Sequence, residues 1–342
     1  MNDSFCVLPF YSTEYQYNGT TPCCLVPVGT DVTLLQSEML AGQRPKICQQ
    51  CWTLEDQGIT SDRQIKNQTF DFYSNRAIEL IKQDCSEGKF SEQIVKINSS
   101  TLCNSTCFTC KDLNASSSWA TLLGKKKEIV INPCDQSKIN WADLKMLSLL
   151  GGEPLYDSAN FDRLEHLIAV GNTNCFISIV TNGSVELTDQ QLSILKQFKN
   201  LNFCLSIDGV GPVFEYLRYP LKWSRLLSNI ELYRSLGIQL SASYTISNLN
   251  IAYYDETVSW FESQGLEYNH NVINYPRHYS PNALPKHIKE SLGSVAHLFT
   301  EHTNANDADY LKLLEDIELQ DKLKHISIQD YLPKLVDLFK SS

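Results

Sequence analysis

The chain has 342 residues, 42% of them hydrophobic, which is enough for one large α/β domain with or without an appendage and excludes a disordered chain. Its formal net charge of −10 argues against a nucleic-acid partner, because binding phosphates requires a basic surface. No apolar run reaches membrane-span length, and the N-terminus lacks a basic segment followed by an apolar one, so a soluble cytoplasmic protein with no membrane partner is expected.

Twelve cysteines in a chain with nothing that directs export read as metal ligands before they read as disulfides. The first 90 residues hold six of them among short polar segments with little periodicity. Cys6-Val-Leu-Pro-Phe, then Asn18-Gly19, then Pro22-Cys23-Cys24 predict a β-hairpin whose two ends bring thiols together. Cys48-Gln-Gln-Cys51 completes a tetrad of Cys6, Cys48, Cys51 and either Cys23 or Cys24. Four such thiolates suit a fully ligated iron–sulfur cluster or a zinc ion.

From residue 90 onward the pattern changes to a βαβα rhythm. Strands are expected at Ile94–Ser99, Lys145–Leu150, Cys175–Thr181, Asn202–Ile207, Gln239–Ile246 and Glu267–Asn274. Helices are expected at Ala115–Lys126, Asp157–Val170, Thr188–Phe198, Trp223–Ser235 and Tyr254–Gln264. This alternation predicts a parallel sheet with crossover helices, curled into an open, partial (β/α)6 barrel. Ile288, Leu292, Val295 and Phe299 recur at helical spacing, so the C-terminal region is expected to add two or three packing helices. The expected division is therefore residues 1–90 as a cysteine-rich subdomain, 91–284 as the barrel and 285–342 as a helical extension.

Directly after the first barrel strand stand Cys103, Cys107 and Cys110, spaced C-x3-C-x2-C. Three thiolates from one short loop can hold three irons of a cubane and leave the fourth open to chelate a substrate's amino and carboxylate groups. A zinc site would need a fourth ligand, which the loop does not supply. Gly151-Gly152-Glu153-Pro154, Thr181-Asn182-Gly183 and Ser206-Ile207-Asp208-Gly209 each fall at the carboxyl end of a successive strand, where barrel active sites lie.

With these motifs in this order, the chain resembles the radical S-adenosylmethionine superfamily. The resemblance implies a catalytic 4Fe–4S cluster on Cys103, Cys107 and Cys110 and reductive cleavage of S-adenosylmethionine to a carbon radical. It implies cofactor contacts from Gly151, Gly152, Glu153, Pro154, Thr181, Asn182, Ser206, Asp208 and Arg218. The two glycines would let backbone approach the methionine moiety, Glu153 would meet its ammonium group and Arg218 its carboxylate. In the family an aromatic residue usually precedes the last cysteine; here that place is Thr109, with Phe108 one position early. Residues 5–75, including Cys51-Trp-Thr-Leu-Glu55 and Gly58-x2-Ser61-x-Arg63, resemble a twitch domain placed ahead of the barrel. That implies an auxiliary iron–sulfur cluster; a zinc knuckle is the alternative.

The resemblance further implies a peptide or protein substrate, undergoing epimerisation, cross-linking or dehydrogenation, and a flavodoxin- or ferredoxin-like electron donor. A small metabolite such as an amino acid or sugar is the second reading, and a non-catalytic iron–sulfur protein a third. By strand alternation Cys204 shares a face with Ser206 and Asp208, so it is either a hydrogen-atom donor in catalysis or core filler. Cys85, Cys134 and Cys175 read as packing or surface thiols, and His278 as a polar loop residue.

Overall fold

A computed structural model describes residues 4–74, 76–110, 116–133, 135–299 and 307–340. Cys134, Ala115 at the start of one expected helix, and residues 300–306 lie outside these.

The fold is α/β, built on one eight-stranded sheet. Its strands are β1 (Ser12–Gln16), β2 (Gly19–Thr21), β3 (Ile94–Asn98), β4 (Met146–Leu150), β5 (Phe176–Thr181), β6 (Leu201–Ser206), β7 (Gln239–Ile246) and β8 (Glu267–Val272). They are ordered β2-β1-β3-β4-β5-β6-β7-β8, and every neighbouring pair is parallel except β1 with β2. β2 and β8 remain edges, so the barrel is partial.

Register puts Ile97, Leu149, Ile179 and Phe203 side by side in one row. That face is fully buried. Helices Ser158–Ala169, Asp189–Leu195, Trp223–Ser235 and Tyr254–Ser263 follow β4 to β7 in turn and contribute to the same core. The alternate residues of the same strands, Asn98, Leu150, Val180 and Ser206, point to the concave face and line a cavity at the strands' carboxyl ends.

The six barrel strands and four of their helices stand within two or three residues of expectation. The expected helix Ala115–Lys126 is only Ser118–Leu122, because the chain turns at Gly124 with φ +62°. The apolar recurrence from Ile288 to Phe299 does not make one helix. It breaks at Leu292 (φ −100°, ψ 40°) between Lys286–Ser291 and a 3₁₀ stretch, Gly293–Leu298. Asp307–Lys324 is the long C-terminal helix.

The N-terminal region departs most from expectation. The hairpin forms, with Gln16 opposite Gly19. β1, however, also pairs in parallel with β3, Thr13 opposite Val95, and so extends the barrel's own sheet. The stretch that appeared aperiodic holds the helices Val32–Leu40, Gln49–Asp56, Asp62–Ser74 and Ile78–Ser86. Three of them give only one or two buried residues each, Leu35 and Met39, Phe70, and Ile81 and Cys85, to a small separate core with Phe5, Val7 and Phe10, too few to leave a periodic signal, and Gln49–Asp56 gives none. Among the described residues no helix is long and apolar enough to cross a membrane.

Candidate functional site

Beyond β3 the chain keeps its backbone pairing for several residues before entering the cysteine loop. Ser99 N–H donates to Leu150 O (2.9 Å), Gly152 N–H to Ser100 O and Glu153 N–H to Leu102 O (both 2.8 Å). The loop itself is held from three sides. Ser118 Oγ donates to Cys103 O (2.5 Å), and Ser116 Oγ to Ser105 O (2.7 Å). Thr106 N–H and Phe108 N–H donate to Tyr219 O (2.7 Å) and Leu217 O (2.6 Å), on either side of Arg218. Gln320 Nε2, from the long C-terminal helix, donates to Phe108 O (3.0 Å).

So fixed, Cys103, Cys107 and Cys110 all border one cavity of about 460 Å³. The Ser105 hydroxyl sits between two of the thiols, 3.3 Å from Cys103 Sγ and 3.4 Å from Cys107 Sγ. Burial raises the Cys103 thiol, and it pushes Cys110 up to about 12 against the pull of the Arg218 guanidinium. Cys103 and Cys110 are therefore protonated at neutral pH without a metal, and ligation there must displace protons. Among the described residues, no three His, Cys, Asp or Glu side chains are grouped to hold a single metal ion.

Phe108 faces away from this cavity. It is buried against Tyr216 (centroids 5.6 Å apart) and Tyr279 (5.7 Å). Its one-place shift from the usual aromatic position thus makes it a core residue.

Gly151 and Gly152 border the cavity, but their lack of side chains serves another contact. A Cβ on Gly152 would lie 2.3 Å from Leu102 O, and one on Gly151, at φ +130°, 2.7 Å from Ser100 O. The two glycines let the end of β4 lie directly against the segment that leads into the cysteine loop.

Glu153 is fully buried behind the wall and accepts from Thr181 Oγ1 (2.6 Å), Asn182 N–H (2.7 Å) and Leu155 N–H (3.1 Å). Burial raises its carboxyl above the ordinary glutamate value although all three bonds oppose this. Thr181 and Pro154 are buried beside it. Asn182 reaches the cavity and donates from Nδ2 to Asn104 Oδ1 (2.8 Å), tying the Thr181-Asn182-Gly183 turn to the cysteine loop.

Ser206 and Arg218 also line the cavity. Arg218 pairs with Asp208 at 2.8 Å, and Asp208 is itself anchored by Thr245 N–H (3.1 Å). Among the described residues the Arg218 Nε, which is buried, has no hydrogen-bond partner. A guanidinium held on one edge by a carboxylate, with a dry donor left over, is prepared for an anionic ligand. Cys204 lies on the concave face of β6 but not among the cavity-lining residues. Its half-buried thiol is raised by burial and hydrogen-bonded to Ser241.

A second, small apolar cavity gathers Cys6, Cys23, Cys48 and Cys51 along its wall; Cys24 is exposed and does not reach it. Burial raises Cys6, takes Cys23 to about 12 and takes Cys48 to about 11. Arg63 borders the same cavity, pairs with Glu55 (2.8 and 2.9 Å) and lies over the Trp52 ring. Ser61 Oγ and Arg63 Nη1 complete this network through Glu55 and Phe5 O.

No family model matches the chain, and neither does any curated protein. Among solved structures it is similar to native anSMEcpe with bound AdoMet, at 18% identity over 68% of this chain and 62% of that one, TM-score 0.41. It is similar to Streptococcus suis SuiB bound to precursor peptide SuiA, at 14% identity over 84% and 65%, TM-score 0.42. It is also similar to TYW1 with a lysine-pyruvate adduct bound, at 12% identity over 57% and 69%, TM-score 0.33. The chain spans less than two thirds of the length of the first two.

Sequence reasoning missed Gln16, Tyr17, Asn98, Asn104, Ser105 and Ser116. All but Asn104 border the main cavity. Asn104 and Ser105 stood inside the cysteine motif, where a search for ligands passes over amides and hydroxyls. Gln16 and Tyr17 arrive through the β1–β3 pairing, a contact between segments about 80 residues apart that no local signal announces. His278 lies off the cavity, its Nε2 3.1 Å from Asp316, while Cys85 and Cys175 are buried packing thiols.

Proposed function

We propose that this chain is a radical S-adenosylmethionine enzyme, with a 4Fe–4S cluster on Cys103, Cys107 and Cys110 and S-adenosylmethionine in the adjoining cavity. One observation carries the reading. Three thiols of a single loop and a guanidinium whose buried Nε has no partner among the described residues converge on one cavity. Three thiolates leave one iron of a cubane open.

When bound, such a cluster supplies the electron that breaks a C–S bond of S-adenosylmethionine, and the carbon radical so formed removes a hydrogen atom from substrate. The chain's residues do the holding. Ser105 donates to whichever neighbouring thiolate carries charge, Arg218 receives the methionine carboxylate on its free edge, and Ser206 offers a hydroxyl from β6. Glu153, Thr181, Pro154 and Asp208 act as positioning residues: Glu153 fixes the Asn182 turn, and Asp208 fixes Arg218. Asn182, tied to Asn104, holds the wall beside the cysteines.

The same reading makes Cys6, Cys23, Cys48 and Cys51 the ligands of an auxiliary iron–sulfur cluster in a twitch-like segment, with the Arg63 cation offsetting thiolate charge. Residues 91–284 form the catalytic barrel and 285–342 its helical cover. The substrate is a peptide or protein, and the electron comes from a flavodoxin- or ferredoxin-like donor.

Iron and sulfide analysis after anaerobic reconstitution tests the two sites together. Two clusters are expected in the wild type, and one in a Cys103→Ala, Cys107→Ala, Cys110→Ala variant. A colourless variant holding a single zinc would reassign the tetrad to a structural knuckle, and an unchanged iron count would overturn the catalytic site.

A further inference from the structure

Residues 116–132 form an excursion that leaves the cysteine region and returns to it. Its first limb is pinned by Ser117 N–H to Thr101 O (2.7 Å) and by the Ser118 hydroxyl to Cys103 O (2.5 Å). Its return limb is pinned by Thr101 N–H to Val130 O and Asn132 N–H to Ser99 O, both 2.9 Å. Between them, every residue from Leu123 to Ile131 is exposed.

This exposed tip has an unusual composition for its setting. Lys125, Lys126 and Lys127 follow one another, and none makes an ion pair among the described residues. One acidic residue, Glu128, follows them, so the tip keeps a net positive charge, and then comes an apolar ridge of Ile129, Val130 and Ile131, the last 70% exposed. On a protein of net charge −10, three adjacent unpaired lysines run against the overall field. A basic cluster beside an apolar ridge, on a tip tethered at both ends, has the makeup of a protein-docking surface for an acidic partner.

We propose that Leu123–Ile131 docks a small acidic electron-transfer protein, flavin- or iron–sulfur-containing, which delivers the electron used at the cysteine loop. The inference rests on the radical S-adenosylmethionine reading of the site. Position selects this partner: the stem of the tip bonds through Ser118 to the carbonyl of Cys103, a cluster ligand in that reading. A partner seated on the tip would therefore sit on a segment whose stem is hydrogen-bonded directly to the loop holding the group it must reduce. The step is a one-electron transfer: the donor's reduced flavin or cluster loses one electron, the acceptor gains one, and no proton or group moves.

The test uses the full-length reconstituted protein carrying Lys125→Glu, Lys126→Glu and Lys127→Glu. The probe is an acidic flavodoxin with its reductase and NADPH, compared with dithionite. Dithionite-driven 5′-deoxyadenosine formation should match the wild type. Flavodoxin-driven formation, and flavodoxin binding followed by fluorescence anisotropy, should each weaken about tenfold or more at low ionic strength, and high salt should narrow the gap. Equal flavodoxin affinity in the two proteins would overturn the proposal. So would lysine-dependent binding to phosphatidylserine vesicles with flavodoxin affinity unchanged, which would make the tip a lipid-surface contact. Wild-type protein that fails with dithionite would instead sink the enzymatic reading, and the binding arm would still decide whether the tip docks flavodoxin.

Discussion

Replacing Gly152 with alanine introduces a single methyl group at the most crowded point behind the cysteine loop. Its Cβ would stand 2.3 Å from Leu102 O, 2.7 Å from Leu102 C and 2.9 Å from Thr101 C, all backbone atoms that no rotamer change can move aside. Relief requires β4 and the 99–102 segment to separate. That strains or breaks the bonds Gly152 N–H to Ser100 O and Glu153 N–H to Leu102 O, each 2.8 Å. Two net hydrogen bonds at about 1 kcal/mol each, plus overpacking of about 1–3 kcal/mol, are partly offset by the stiffer unfolded chain. The net cost is about 2–4 kcal/mol, a melting temperature lower by about 3–6 °C for a chain of this length. The same displacement moves Cys103, so the variant should also lose iron from the triplet. Gly293→Ala, where an added Cβ meets nothing within 4 Å, serves as the control and should melt with the wild type. The assay is thermal unfolding combined with iron analysis after reconstitution. A Gly152→Ala protein that melts with the control and keeps its full iron would refute the claim that these glycines exist for backbone contact.

The remaining predictions concern other parts of the same machinery. Arg63→Met leaves the buried Glu55 carboxylate without its partner, which should cost about 3–5 kcal/mol. Protease sensitivity should appear in residues 1–75 and iron should leave the tetrad before the triplet; Glu55→Gln in the same protein should restore part of the loss. Burial raises the Glu153 carboxyl, so the folded state holds that proton more tightly than the unfolded chain does. Its contribution to stability is therefore full below the ordinary glutamate value and fades as pH rises through the raised folded value. Melting temperatures of wild type and Glu153→Gln, compared from acid to neutral pH, should show the wild type losing ground as pH rises; a constant difference would contradict this. Cys204→Ala should still form both product and 5′-deoxyadenosine, because the thiol lies off the cavity wall, bonded to Ser241. Loss of product with 5′-deoxyadenosine spared would make Cys204 the hydrogen-atom donor instead.

The barrel was legible because its signals are local. Runs such as Ile177, Ile179 and Phe203 alternate with half-buried residues, and each strand ends in a turn of Gly, Asn, Ser or Asp. The spacings of Cys103, Cys107 and Cys110, and of Cys6, Cys48 and Cys51, already grouped the residues that border the two cavities. Spacing left Cys23 and Cys24 as alternatives; of the two, Cys23 borders the small cavity in the fold. What escaped was tertiary. Glu153 read as a cofactor contact, and only the fold shows all three of its bonds going to the chain itself. The N-terminal segment read as a separate appendage, since nothing in Ser12–Gln16 signals a parallel partner some 80 residues onward. Phe108 stood one place ahead of the family's usual aromatic position, and only the fold shows Tyr216 and Tyr279 packed against it.

The central claim is that the three cysteines of one loop drive cleavage of S-adenosylmethionine in the cavity they border. Anaerobically reconstituted wild type and the Cys103→Ala, Cys107→Ala, Cys110→Ala variant, each given dithionite and S-adenosylmethionine, decide it by the amount of 5′-deoxyadenosine formed. The account predicts steady formation by the wild type and none above background by the variant, with the variant still folded and its tetrad still loaded. Equal formation by both proteins, or none by a wild type shown to carry its iron and sulfide, would contradict it.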